Sequence, residues 1–213
     1  MPRPVNADAR ATQRHILESA LSLFSAQGMG GTSVREIARG AGVSLAMVHH
    51  YFGSKEGLYT ACIEAMLAEL SKLGGELREA LATLEGSPQS LIVKAVRVGF
   101  RFACEHRMAV RLLMRSIVDA GEVDARIRER NVLPFLEGIS QALGMLFGRQ
   151  PETLRLPIQS VIFLVVRYAI SHEAEHALLV GEGKSRPTQR ADEAVEDHLV
   201  DAAMRLLGIP EAN

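Results

Sequence analysis

Between residues 8 and 27, Ile16, Ala20, Leu23 and Phe24 fall at steps of three and four, which places them on one face of an α-helix. Gly28 stands where such a helix stops, and the short loop Met29-Gly30-Gly31-Thr32 follows. Ser33-Val34-Arg35-Glu36 has the form of a capping box, in which the serine oxygen takes the Glu36 amide while the glutamate reaches back. The helix it starts is short, because Gly40 and Gly42 bracket Ala41 one turn later. Ser44 caps a third helix running through His50, and Gly53-Ser54 restarts the chain into a fourth with Ser54 as its cap. Leu58, Cys62, Met66 and Leu70 repeat along the fourth helix until Gly74-Gly75 loosens it, and residues 76–85 are expected to continue it.

The same period recurs downstream. Gly86-Ser87-Pro88 opens a helix whose apolar stripe is Leu91, Ala95, Val96, Gly99, Phe102 and Ala103, opposite Lys94, Arg97, Arg101 and Glu105. Residues 107–119 set Val110, Met114, Ile117 and Val118 against Arg107, Arg111 and Arg115. Pro134, at a first-turn position, starts another helix carrying Phe135, Ile139, Leu143 and Leu146. Residues 152–180 predict one long helix, apolar nearly all round from Ile158 to Ile170, which demands cover on most sides from its own core or from another subunit. A polar loop, 181–190, precedes a last helix over 191–207 that stops at Gly208. No segment alternates with period two. The pattern predicts an all-α chain of about nine helices, with a three-helix N-terminal domain (1–54) and a larger C-terminal helical bundle (55–213).

Composition narrows the setting. The 213 residues are 47% hydrophobic and 23% charged, enough for a real core and too ordered a mix for a disordered chain. The start of the chain lacks the apolar run of a secretory leader, and the longest apolar stretch, Val161–Val166, is too short to span a bilayer. Two cysteines, Cys62 and Cys104, make no disulfide framework. A cytoplasmic protein with no membrane partner is expected. Net charge is −1, yet residues 1–60 hold six basic groups (Arg3, Arg10, Arg14, Arg35, Arg39, Lys55) against four acidic ones (Asp8, Glu18, Glu36, Glu56). A positive end on a mildly acidic body suits a small module that touches phosphates.

Residues 33–50 carry the functional signal. Two short helices meet around a tight glycine-containing turn, with Ala38 small at the crossing and Val43 and Val48 filling the little core, the arrangement of a helix-turn-helix. The second helix of such a unit lays its N-terminal residues against base edges in the major groove. The flanks extend the pattern: Ile16-Leu17-Glu18-Ser19-Ala20, Leu23-Phe24, Gly28, Thr32 to Ala38, Ala41-Gly42-Val43-Ser44 and Tyr51-Phe52-Gly53-Ser54-Lys55-Glu56-Gly57-Leu58-Tyr59. This spaced string closely resembles the N-terminal domain of the TetR/AcrR family of bacterial repressors, over residues 14–59. The resemblance implies a homodimer, a palindromic operator in double-stranded DNA, and a C-terminal domain that binds a small effector and then releases the DNA. On that basis Leu45, Ala46, Met47 and His50 are the candidates for base contact. Ser44 is the helix cap with a phosphate within its reach. Thr32, Ser33 and Arg35 sit where the second helix crosses the backbone, and His49 and Tyr51 are also expected among the DNA-binding residues. Lys55 matches the family's phosphate-contacting lysine. The chain departs from the family at His49, where a phosphate-binding tyrosine is usual, and at Ala46, often glycine. The apolar third helix predicts contacts to thymine methyls and few bidentate base contacts.

A different chemistry competes further on. His172-Glu173-Ala174-Glu175-His176 satisfies H-E-x-x-H, in which two histidines four apart on a helix bind zinc and the glutamate acts as base. Glu196 stands at a spacing used for a third ligand. A helical zinc hydrolase or a metal-sensing regulator built on His172 and His176 is therefore the alternative, against which stands the lack of any strand to align a substrate. A dimer whose helix-turn-helix no longer binds DNA is a third possibility, raised by His49. For the small-molecule effector, Phe100, Phe102, Met108, Leu112, Met114, Phe135, Phe163 and Tyr168 are candidates to line an apolar cavity, with Arg167 or His172 as polar anchor. At helical spacing each also reads as plain core. Cys62 and Cys104 read as either a redox pair or inert buried thiols. The leading interpretation expects no cofactor, no resident metal and no catalytic residue.

Overall fold

A computed structural model of the chain describes residues 5–82, 87–181 and 189–209. Among these residues there is no strand, and the helices are α1 (Val5–Gly31), α2 (Val34–Gly40), α3 (Leu45–Phe52), α4 (Lys55–Ala82), α5 (Pro88–Glu105), α6 (Arg107–Ala120), α7 (Ala125–Ile127), α8 (Leu133–Phe147), α9 (Pro151–Ala169), α10 (Glu173–Leu179) and α11 (Gln189–Leu207), with a π-helical turn at Arg128–Val132. Eight of the nine expected helices are present, and the one expected over 152–180 is broken. The count rises because the long helix expected over 152–180 is two, and because α7 and the π turn precede α8. The end of the continuation expected to residue 85 and most of the polar loop at 181–190 lie outside the described residues. No single helix among them is long and apolar enough to cross a membrane.

The chain forms two compact units. The first comprises Met1–Ala68 with Met108–Ile127, the second Glu69–Arg107 with Arg128–Asn213. In the first, α1 buries Ile16, Ala20 and Phe24 completely, and Ile37 and Ala38 of α2, Val48 of α3 and Leu58, Cys62 and Ile63 of α4 are buried too. Each large apolar side chain so buried contributes about 1.5–3 kcal/mol. The Phe24 ring meets Tyr59 edge-on at 5.3 Å. Gly28, with φ +72° and ψ 171°, breaks α1 where the sequence places its stop, but one more helical turn runs to Gly31 instead of a loop.

In the second unit, α11 packs on α5 and α9, and α8 on α9. Ser87 caps α5, accepting the Ser90 amide at 3.2 Å, and Pro88 follows in its first turn. The polar flanks of α5 and α11 meet as ion pairs, Arg101 with Glu196 at 2.9 Å and Arg97 with Asp197 at 2.7 Å. α9 and α10 bend by 110°. The bend frees carbonyls at the end of α9, and side chains take them: Arg107 Nε donates to Ala169 O at 2.7 Å and His176 Nε2 to Tyr168 O at 3.0 Å. Buried carbonyls need such partners, so the break is satisfied locally. The cover expected around 158–170 is incomplete within this chain. Leu154, Ile158 and Ala169 are buried, whereas Leu156 is 80% and Phe163 39% exposed.

Candidate nucleic-acid interface

The helix-turn-helix is built by caps and one glycine. The Ser33 hydroxyl oxygen accepts the Glu36 amide at 3.2 Å, while the Ser33 amide donates to the Glu36 carboxylate at 3.0 Å, completing the capping box. The Ser33 amide and hydroxyl hold the Glu36 carboxyl below its usual range. α2 ends at a turn where the Val43 amide donates back to Ala38 O at 3.0 Å. Gly42 there has φ +68°, a backbone state that a residue with a Cβ adopts only at a cost. Ser44 then starts α3, its hydroxyl accepting the Met47 amide at 3.2 Å.

Burial of Val48 sets the orientation of α3. At about 100° per residue, Ala46 and His50 point opposite Val48, and Met47 and His49 lie on the two flanks between. All four are exposed, Met47 by 40%. Behind them the chain turns into α4 at close quarters. A Cβ on Gly57 would stand 2.4 Å from Phe52 O, so only glycine lets α4 start this near the end of α3. The Ser54 hydroxyl accepts the Gly57 amide at 3.0 Å. His49 Nδ1 donates to Gly53 O at 2.8 Å, and the His50 and Tyr51 rings meet edge-on at 5.1 Å.

Ser33, Arg35, Ser44, Ala46, Met47, His49 and His50 are thus exposed on the corner or beside it, while Leu45, Tyr51 and Lys55 are half-buried. Thr32 is a correction. It is 2% exposed and its hydroxyl donates to Gly28 O at 2.8 Å, so it locks the break in α1 and offers no side chain to a duplex. Two links escaped the sequence. The Tyr59 hydroxyl donates to Leu112 O at 2.9 Å, tying α4 to α6. The Arg115 guanidinium lies over Gly28, where a Cβ would meet its carbon at 2.7 Å. Neither is marked by any motif, because a tyrosine and an arginine on helix faces are ordinary until the partner backbone is known.

The other candidates divide. Met108 and Leu112 belong to the first unit, and Phe100, Phe102, Phe135, Phe163, Arg167, Tyr168 and His172 to the second. Phe100 and Leu112 are buried, Met108 and Phe163 reach the surface, and the Phe102 ring lies tilted beside His106 with centroids 4.2 Å apart. Arg167, the supposed anchor, is paired with Glu175 at 2.6 Å. The H-E-x-x-H geometry does not form. His172 is the extended N-cap of α10, off the helix. His176 is 1% exposed with Nδ1 on Asp192 at 2.8 Å and Nε2 on Tyr168 O, leaving no nitrogen for a metal. Glu196 is engaged by Arg101. No group of three or more His, Cys, Asp or Glu among the described residues is placed to hold an ion. Burial pushes the Cys62 thiol up to about 12, which leaves it protonated and unreactive at neutral pH.

Comparison with known proteins agrees with the corner. Residues 16–62 match the sequence profile of the bacterial regulatory proteins of the tetR family. The chain is 38% identical over 89 residues to the HTH-type transcriptional regulator BetI of Rhizobium meliloti, covering 42% of each chain. It is 35% identical over 92 residues to the HTH-type transcriptional regulator AcrR of Shigella flexneri, covering 43% of this chain and 41% of that one. These matches span less than half the length of either relative. A TetR-like transcriptional regulator from Rhodococcus sp. RHA1 superposes with a TM-score of 0.60 at 25% identity over 98% of both chains. The TetR family transcriptional regulator PfmR from Thermus thermophilus shares the fold, with a TM-score of 0.61 at 22% identity over 89% of this chain and 97% of that one.

Proposed function

We propose that this chain, whose residues 16–62 match the tetR family profile, is a ligand-responsive regulator of that family that binds a palindromic operator as a dimer and is released by a small molecule. The observation that carries the proposal is the outward face of α3: Ala46, Met47, His49 and His50 exposed on a helix that capping and the buried Val48 hold in one orientation. Residues 1–54 are the DNA-reading part, with Ser33 and Arg35 on phosphates and Leu45, Ala46, Met47 and His50 toward base edges, and Lys55, the first residue after them, adds a further phosphate contact. Residues 55–213 serve the effector and the dimer. Repression, a cytoplasmic location and the absence of catalysis belong to the same proposal.

Dimerisation is favoured by the surface of α9. Leu156, Ser160, Phe163 and Arg167 form one exposed stripe at steps of four, three and four, and a second copy of the chain is the occupant that also supplies the second reading helix. Two such helices must stand about 34–36 Å apart, one DNA turn, to read both half-sites. An effector acts by binding better to a state in which that spacing is wrong. Selection from random duplexes with the purified protein tests the proposal. An inverted repeat enriched at low salt is expected; recovery of no repeat contradicts it.

A further inference from the structure

Eight methionines and two cysteines hold the sulfur of this chain, and access decides which of them an oxidant meets. Both thiols are held back. Burial pushes the Cys62 thiol up to about 12 and raises the Cys104 thiol as well, and a protonated thiol is a poor nucleophile. A thioether has no proton to lose, so only burial protects it. Among the described residues Met66 and Met204 are buried and Met114 is half-buried, while Met29, Met47, Met108 and Met145 are exposed. Of these four, Met47 alone lies on α3. Resting on the DNA-binding function proposed above, we propose that Met47 is a modification site, oxidised to its sulfoxide by a two-electron oxidant such as hypochlorous acid, and that this oxidation takes the protein off DNA.

The helix keeps the thioether at the surface. The Met47 amide donates to Ser44 Oγ at 3.2 Å and to Ser44 O at 3.1 Å, which fixes the backbone at this position. Val48 occupies the inward side of the helix, so Met47 has no core to retreat into. Ala46, His49 and His50 are its exposed companions on α3, and Met47 is the one large apolar side chain among them. In the reaction one S–O bond forms and the O–Cl bond of hypochlorous acid breaks. Sulfur loses two electrons, chlorine gains them and leaves as chloride, and one proton passes to solvent. The product exchanges an apolar tip for a strong hydrogen-bond acceptor that cannot donate. Facing a thymine methyl, that oxygen is a polar group taken out of water with no partner. Facing a phosphate, it sets a negative dipole end against negative charge. Both oppose binding, and a dimer carries the change once in each half-site. Neither alters the number of cationic groups on the DNA.

The test uses the full chain and the duplex that it selects. Hypochlorous acid is the probe, added in graded amounts. Peptide mass spectrometry reads the sulfoxide at each methionine, and dissociation constants are measured on the same samples. Loss of affinity is expected to track the Met47 sulfoxide and to reach on the order of a hundredfold, about tenfold for each half-site. The slope of log affinity against log salt is expected to stay as it was. Methionine sulfoxide reductase is expected to restore binding, and dithiothreitol alone is not. Each variant is compared with its own untreated form. Met47→Leu is expected to lose the response, and Met29→Leu, Met108→Leu and Met145→Leu combined are expected to keep it. A bound duplex is expected to shield Met47, but not Met145, from the oxidant. A response that persists in Met47→Leu or is reversed by dithiothreitol, or a Met47 oxidised as fast on DNA as off it, overturns the proposal while DNA binding stands. Failure of the untreated protein to bind any duplex overturns the regulator function and this proposal together.

Discussion

Side chains on the helix-turn-helix and beside it divide into those that face outward and those that hold others there. Lys55 opens α4 immediately after the tight turn at Gly53-Ser54, with its ammonium the one lysine charge in the first 60 residues. Lys55→Ala is expected to weaken binding to all duplexes alike and to lower the slope of log affinity against log salt by about 0.9, the signature of one lost phosphate contact. A loss confined to certain sequences would show that Lys55 reads bases. Thr32 is the opposite kind of residue. Thr32→Val removes the hydroxyl that Gly28 O relies on, and is expected to cost about 1–2 kcal/mol in denaturant unfolding with sequence preference intact. A change of preference at unchanged stability would return Thr32 to the interface.

At the scale of elements, what could be read from the sequence was whatever depends on neighbours along the chain. Ser33 with Glu36, Ser44 before Leu45, and Ser54 before Lys55 are caps written within four residues, and all three form. The spacing of Ile16, Ala20 and Phe24 likewise gave the buried side of α1. The break after Ala169 was hidden, because its causes sit far away in sequence: Arg107 and His176 take the carbonyls and Asp192 holds the imidazole. Residues 152–180 therefore read as one apolar helix, and His172 and His176 as two histidines on one face. His176→Leu deletes both hydrogen bonds and leaves the Tyr168 carbonyl only the Ser171 amide, at 3.1 Å. It is expected to lower stability by about 2–3 kcal/mol in chemical denaturation. An unchanged unfolding midpoint would mean that the bend does not depend on this ring. The effector residues were hidden for the same reason, since helical spacing marks a Phe or Met as inward without saying whether it meets core or ligand.

For the whole molecule the question is how two reading helices come to act together. The stripe Leu156, Ser160, Phe163 and Arg167 presents two large apolar side chains, Leu156 and Phe163, open in the single chain. Phe163→Glu places a carboxylate in the middle of it. Analytical ultracentrifugation is expected to show a folded monomer with DNA affinity reduced by orders of magnitude, because linked half-site binding is lost. A dimer that persists unchanged places the interface elsewhere. The claim beneath all of this is that α3 enters the major groove with Ala46 and His50 leading, and affinity cleavage tests it directly. With Cys62 and Cys104 replaced, a chemical nuclease attached at Ala46→Cys is directed onto the selected duplex. Two clusters of cuts about one helical turn apart, on the major-groove side of each half-site, are predicted. Cuts scattered evenly along the duplex, or none from a protein that remains bound, contradict the account.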